Sequence, residues 1–135
     1  MEERVFHCEE DRIAADVVEV AYRVHNELGP GLLESAYSQV LCYLLRQKGY
    51  DVETEVSVPI QFDGLRIATG YRADVIVNGL VILELKAVKD IEDLFLRQLL
   101  TYVRLAGKRL GLLVNFGAAS MNKQIRRVAN GLPET

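Results

Sequence analysis

The sequence predicts an α/β fold: a mixed central sheet flanked by helices on both faces, with an extra helix at the N-terminal side. Three observations predict it. Apolar residues recur at helical spacing from Glu10 to Lys48, the period switches to two at Val52, and a short all-apolar strand follows a third helical segment. With 135 residues, the chain can bury one real core but not two, so residues 1–135 are expected to form a single domain.

The first helix is expected over Glu10–Leu28, where Ile13, Ala14, Val17, Val18, Ala21, Val24 and Leu28 share a face. "GPG" at Gly29–Gly31 stops it, because Pro30 cannot continue the helix and the glycines permit a sharp turn. A second helix follows over Leu32–Lys48, with Leu33, Tyr37, Val40, Leu41, Leu44 and Leu45 on its buried side. From Val52 to Phe62 apolar and polar residues alternate, as in a half-buried strand. Pro59 donates no ladder bond, which places this strand at an edge or bulges it there.

"DG" at Asp63–Gly64 turns the chain into a second strand, Leu65–Val77, and "NG" at Asn78–Gly79 into a third, Leu80–Ala87. These latter strands are apolar on both faces, which calls for helices on both sides of the sheet. A third helix is expected over Ile91–Ala106, then a buried strand at Leu110–Asn115, parallel to the third because a helix separates them. The end, "NKQIRRVANGL", reads as a short basic helix.

Composition narrows the class. No apolar run approaches the ~20 residues that a membrane span needs. The charged start, "MEERVFHCEEDR", resembles neither a signal peptide nor a transit sequence. Cys8 and Cys42 lack any framework to staple and read as reduced thiols, so a cytoplasmic location is expected. The net charge of −3 hides an asymmetry: residues 1–63 carry 13 acids against 5 basic residues, and residues 64–135 carry 6 against 11. The basic half can present a local positive field to a polyanion, or simply be an uneven solvated surface.

One stretch of that basic half, "ADVIVNGLVILELKAVK" (Ala73–Lys89), places Asp74, Glu84 and Lys86 inside an apolar hairpin. Burying an ion costs several kcal/mol unless it finds a partner. An even number of residues in the Asn78–Gly79 connection would send Asp74 and Glu84 to opposite faces. An odd number brings Asp74, Glu84 and Lys86 onto one face, the register in which all three charges are tolerated. Two converging carboxylates repel, and a divalent cation with a taste for hard oxygen ligands relieves them; Mg2+ suits, with Mn2+ as a substitute. Lys86 would stand beside the metal, where it can orient a water or neutralise charge on a phosphate. The plainer alternative is an ion pair of Lys86 with either acid at a solvated strand end.

The order of elements, with Asp74 on one strand and "ELK" (Glu84-Leu85-Lys86) on the next, resembles the PD-(D/E)XK nuclease superfamily. "GLLESAY" (Gly31, Glu34, Tyr37) resembles the signature of its GxxExxY family, and "QLLTY" (Gln98, Tyr102) the QxxxY motif of RecB-type exonucleases. Ala73 stands where the first motif has proline. The resemblance implies a restriction-endonuclease-like α-β-β-β-α-β core and metal held by Asp74, Glu84 and the Leu85 backbone carbonyl. It also implies Lys86 as the catalytic lysine; Glu34 either reaches the metal as a third acid, as the motif suggests, or simply sits in the first turn of its helix, where the dipole favours a carboxylate.

Gln98 and Tyr102 fall within the stripe Ile91, Leu94, Phe95, Gln98, Leu99, Tyr102, Val103 and Ala106. There they either serve the active-site strand or pack. Arg72 and Arg97 are candidates for substrate binding, and the stripe of Arg97, Thr101, Arg104 and Lys108 is either phosphate-facing or solvated. His25 is a ligand candidate, although a lone helical histidine is more often structural. The function expected is a Mg2+-dependent nuclease acting on DNA, less readily RNA, with nucleic acid as partner. The alternative is a catalytically silent binding or assembly module on the same fold, with a homodimer or a protein partner docked on its edge strands or leading helix.

Overall fold

The computed structural model describes residues 5–133. Residues 1–4, at the head of the charged leader read above for targeting signals, lie outside the described residues. Three helices and five strands follow in order: α1 (Glu9–Leu28), α2 (Glu34–Gln47), β1 (Val52–Phe62), β2 (Leu65–Val77), β3 (Val81–Lys86), α3 (Asp93–Leu105), β4 (Leu110–Asn115) and β5 (Ile125–Ala129). They build one mixed sheet in the order β1-β2-β3-β4-β5. Only the β3–β4 pair is parallel, because α3 returns the chain to the end where β3 began.

The two faces of the sheet carry separate apolar layers. Val75, Val77, Leu83, Leu85, Leu110 and Leu112 pack with α1 and α2. Ile76, Ile82 and Leu113 pack on the other side with Leu99 and Val103 of α3. A side chain at Gly111 would sit 2.7 Å from Val103 and 2.9 Å from Leu99, so the bare glycine lets α3 lie close on β4. Glu10 is buried and forked by Arg109, whose Nε and terminal nitrogen donate to its two oxygens at 2.7 and 2.8 Å. That bidentate pair pins the start of α1 beside the start of β4 and holds the Glu10 carboxyl below its ordinary range.

Some expectations need correction. The basic C-terminal segment is a strand, β5, paired antiparallel to β4. Pairing with an otherwise open edge outweighs a weak local helix preference, and the alternation suits a strand: Ile125 packs toward α1, Val128 toward α3. Arg127, on the α1 side, pairs with Asp11. Leu33 is exposed at 78 % because it precedes the first turn of α2. Val18 and Leu28 sit on the solvent margin of α1, whereas Val20 is buried. The ladder between β1 and β2 shifts register between Val58 and Ile60, around Pro59, and β1 is an edge strand. Among the described residues no helix is long and apolar enough to cross a membrane.

Candidate active site

The site begins with a turn. Leu80 N–H donates to the Val77 carbonyl at 2.9 Å, across Asn78 and Gly79 at φ 52° and 63°. Two successive left-handed residues suit Asn and Gly, the pair with least to lose there. The ladder resumes with Val77 opposite Val81, so the connection holds Asn78, Gly79 and Leu80, an odd count. Carried past the last ladder pair, Val75 with Leu83, that register sets Asp74 across from Glu84. Beyond it the strands part, and Asp74 Oδ2 takes the Leu85 N–H at 2.9 Å in place of a ladder carbonyl.

The electrostatics of the pair are strained. Burial, and then the neighbouring Asp74 charge, push the Glu84 carboxyl up to about 8, with Lys86 pulling the other way. Glu84 Oε1 is buried with no hydrogen-bond partner among the described residues. Lys86 follows on the same side of β3, its Nζ 4.4 Å from the centre of the Phe95 ring on α3. A flat aromatic face holds an ammonium without neutralising it. Asp74, Glu84, Leu85 and Lys86 therefore come together at the fork of β2 and β3.

Tyr102 reaches this neighbourhood through a residue that sequence reasoning missed. Its ring stacks on Tyr71 of β2, centroids 3.9 Å apart, and the Tyr71 hydroxyl donates to the Tyr102 carbonyl at 2.9 Å. Burial raises the Tyr71 phenol, and the Glu84 carboxylate adds to the effect. The signal was faint, an aromatic three residues ahead of Asp74. Gln98 is exposed and its side chain makes no hydrogen bond among the described residues, because the packed stripe of α3 centres on Leu99 and Val103. Arg72 is exposed on β2 opposite Ser57, and Arg97 is exposed on α3 beside a groove shared with Arg126.

The "GLLESAY" segment is built around Tyr37, which is fully buried. Its hydroxyl donates to the Gly29 carbonyl at 2.5 Å and accepts from Leu32 N–H at 3.1 Å, while the ring stacks on Phe116. Tyr37 thus closes the turn between α1 and α2, and Glu34 opens α2 on the rim of a cavity of about 550 Å3 that Asp74 and Leu85 also line. No three His, Cys, Asp or Glu side chains gather as a ligand set among the described residues, so Glu34 stands apart from the pair. His25 is structural: its Nε2 lies 2.8 Å from the Ala118 carbonyl.

Asn115 was also missed. It is fully buried, and its amide pairs both ways with the backbone of Val88, at 2.9 Å each, while also donating to Gln124 Oε1 at 2.8 Å. With Phe116 N–H on the Lys86 carbonyl at 2.8 Å, it anchors the chain as it leaves Lys86. The legible sign was a lone polar residue ending the apolar run "LGLLVN".

Helices on both faces of a mixed sheet, with two acids and a lysine at the fork of its central hairpin, define an α/β nuclease-like fold of the restriction-endonuclease type. A profile of the PD-(D/E)XK nuclease superfamily matches residues 11–128, and the chain belongs to that superfamily. No curated protein matches it in sequence. Among solved structures, the crystal structure of SSO0001 is similar at 22 % identity over 87 % of this chain and 68 % of the other, with a TM-score of 0.43, a likeness too distant to carry an argument.

Proposed function

We propose that the protein is a Mg2+-dependent nuclease, with Mn2+ as a substitute, that hydrolyses phosphodiester bonds of DNA and less readily of RNA. One observation carries the reading: Asp74 and Glu84 face each other, and a Glu84 oxygen is buried without a partner among the described residues. A protein that only needed a core would fill this place with apolar side chains, since an unpaired buried carboxylate oxygen costs about 1–3 kcal/mol. The donor set fits a small divalent cation: two hard, mutually repelling carboxylates, with the Leu85 carbonyl as the further donor and room for water. Such an ion, when bound, supplies Lewis-acid stabilisation of a phosphoryl oxygen and acidifies a bound water.

Superfamily membership supports nuclease chemistry, and "GLLESAY" with "QLLTY" supports a place beside the GxxExxY and RecB-type groups. In this reading Lys86 balances negative charge growing on the phosphate and positions the attacking water. The Tyr71–Tyr102 stack borders Glu84, and Gln98, Arg72 and Arg97 are left free to meet substrate. The ion pairs support an approach of the polyanion from the α3 side. Arg97, Arg104, Lys108 and Arg126 form no ion pair among the described residues, whereas Arg12, Arg23 and Lys48 pair with acids of α1.

The test is Mg2+-dependent cleavage of single- and double-stranded DNA and RNA by the wild type and by Lys86→Ala. Loss of cleavage by about 100-fold or more is expected in the variant. Equal inertness of both proteins, with no calorimetric binding of Mg2+ or Mn2+, would overturn the reading in favour of a silent module.

A further inference from the structure

The positive charge of the chain is concentrated in one stretch: residues 94–133 contain seven basic side chains and no acid. Two of the seven are engaged by α1, where Arg109 takes Glu10 and Arg127 takes Asp11. Lys123 lies on that same side, beside Ala14 and Val18. The other four, Arg97, Arg104, Lys108 and Arg126, form no ion pair among the described residues. Arg97 and Arg104 are two turns apart on one flank of α3, about 10 Å along its axis, and Lys108 follows just past the end of the helix. Arg126 joins them from β5, where it shares a face with Val128, which packs toward α3.

Between α3 and β5 runs a groove of about 390 Å3 that Arg97 and Arg126 border. Its remaining lining is apolar, from Leu96, Leu100 and Val128, each only half-buried. The Arg97 side chain makes no hydrogen bond among the described residues. Arg126 gives its Nε to the Lys123 carbonyl at 2.8 Å, which keeps its terminal nitrogens available as donors. The groove also has a direction. Leu96 follows Phe95, whose ring carries Lys86 Nζ, so its head lies one residue from the fork of Asp74, Glu84 and Lys86.

We propose that the α3–β5 groove holds the unpaired nucleic-acid strand that leads to the phosphodiester at this fork, its phosphates on the guanidiniums and its bases on the apolar floor. Four cations without counter-acids select a polyanion. The floor selects which one. A duplex turns its base faces inward and offers a side groove only phosphate and sugar, whereas an unpaired strand can lay bases on leucine and against guanidinium planes. The inference rests on the nuclease reading for where the strand leads, but binding in the groove needs neither metal nor cleavage.

The experiment titrates the full chain in EDTA with a fluorescent oligo-dT strand of about 15 nucleotides. A duplex and an abasic strand of the same length, and a polyglutamate peptide, serve as the comparison ligands. The oligo-dT strand is expected to bind at least about fivefold tighter than any of the three. Its log K should fall with log salt at a slope of about −2 to −3, the value for roughly three to four phosphates on a single strand. Arg97→Glu and Arg126→Glu should each weaken it at least about tenfold and flatten the slope by about 1. Arg97 is an exposed helix position without a side-chain hydrogen bond among the described residues, so it keeps the test sound if Arg126→Glu disturbs β5. Arg23→Glu, the same change of charge on α1, should leave binding within about twofold. Equal affinity for the abasic strand or polyglutamate, tighter binding of the duplex, or an equal loss in Arg23→Glu overturns the proposal. Groove variants that bind oligo-dT like a wild type that cleaves DNA in Mg2+ sink only this inference. Strand binding that the groove variants lose, in a protein that neither cleaves nor takes up metal, upholds the groove and sinks the nuclease reading.

Discussion

Glu84 stands across from Asp74 at the point where β2 and β3 part, and one of its oxygens is buried with no partner among the described residues. The arrangement stores unfavourable energy in the metal-free protein, and that energy has a pH signature. In the unfolded chain Glu84 titrates near its ordinary 4.5, but in the fold at about 8. The folded state therefore binds more protons between those values, and its stability falls as pH rises through that window.

Glu84→Gln is expected to remove this slope. Thermal melts in EDTA should show the variant gaining on the wild type between pH 5 and 8, by about 3–6 °C at the upper end. Mg2+ should recover stability for the wild type alone, with protons released on binding at pH 7. Parallel pH profiles for the two proteins would show that Glu84 is not the strained group.

Phe95 is the platform for the Lys86 ammonium, 4.4 Å beneath Nζ. Replacing it by leucine keeps the apolar volume and removes the aromatic face, worth about 0.5–1 kcal/mol. If Lys86 acts at the phosphate, Phe95→Leu should slow single-turnover cleavage by about two- to fivefold. Mg2+ affinity, measured calorimetrically, should stay the same. A variant that loses metal binding instead would assign Phe95 a role in holding the carboxylates.

Asn115→Ala would strip partners from both backbone groups of Val88 and from Gln124 at a buried position. The expected cost is about 2–4 kcal/mol in urea denaturation. Asn115→Asp keeps the acceptor but loses the donor and buries a charge, so it should fall at least as far. A loss under 1 kcal/mol for the alanine variant would mean that water replaces the amide.

The Glu10–Arg109 fork works in the opposite sense to Glu84. Because Arg109 lowers the Glu10 carboxyl, its contribution is present above the unfolded carboxyl range and disappears as pH falls through the folded value. Glu10→Gln should cost about 1.5–3 kcal/mol at pH 7 and converge with the wild type in acid. A constant gap across pH, read from denaturation midpoints, would argue for packing rather than charge.

Much of the fold was legible because burial leaves a periodic trace. Ile13, Val17 and Val24 mark α1, and the alternation from Val52 marks β1 whatever it pairs with. Motif chemistry was legible for a related reason, since Asp74, Glu84 and Lys86 contradict an apolar run. The C-terminal strand was not, because five residues with two arginines carry little preference of their own until β4 offers an edge. Gln98 was misplaced for a subtler reason. A shift of about one residue in the buried stripe of α3, set by contact with Gly111 and β4, turns it to solvent.

The sequence by itself determined the periods of the elements, their order, and the three charges that do not belong in a core, since these follow from local side-chain chemistry. Only the tertiary structure decided the odd count of the Asn78–Leu80 connection, the facing of Asp74 and Glu84, and the cavity that opens beside them. A one-residue change in register inverts every side chain on a strand at almost no local cost. The energy that settles it is spread over the whole packed sheet.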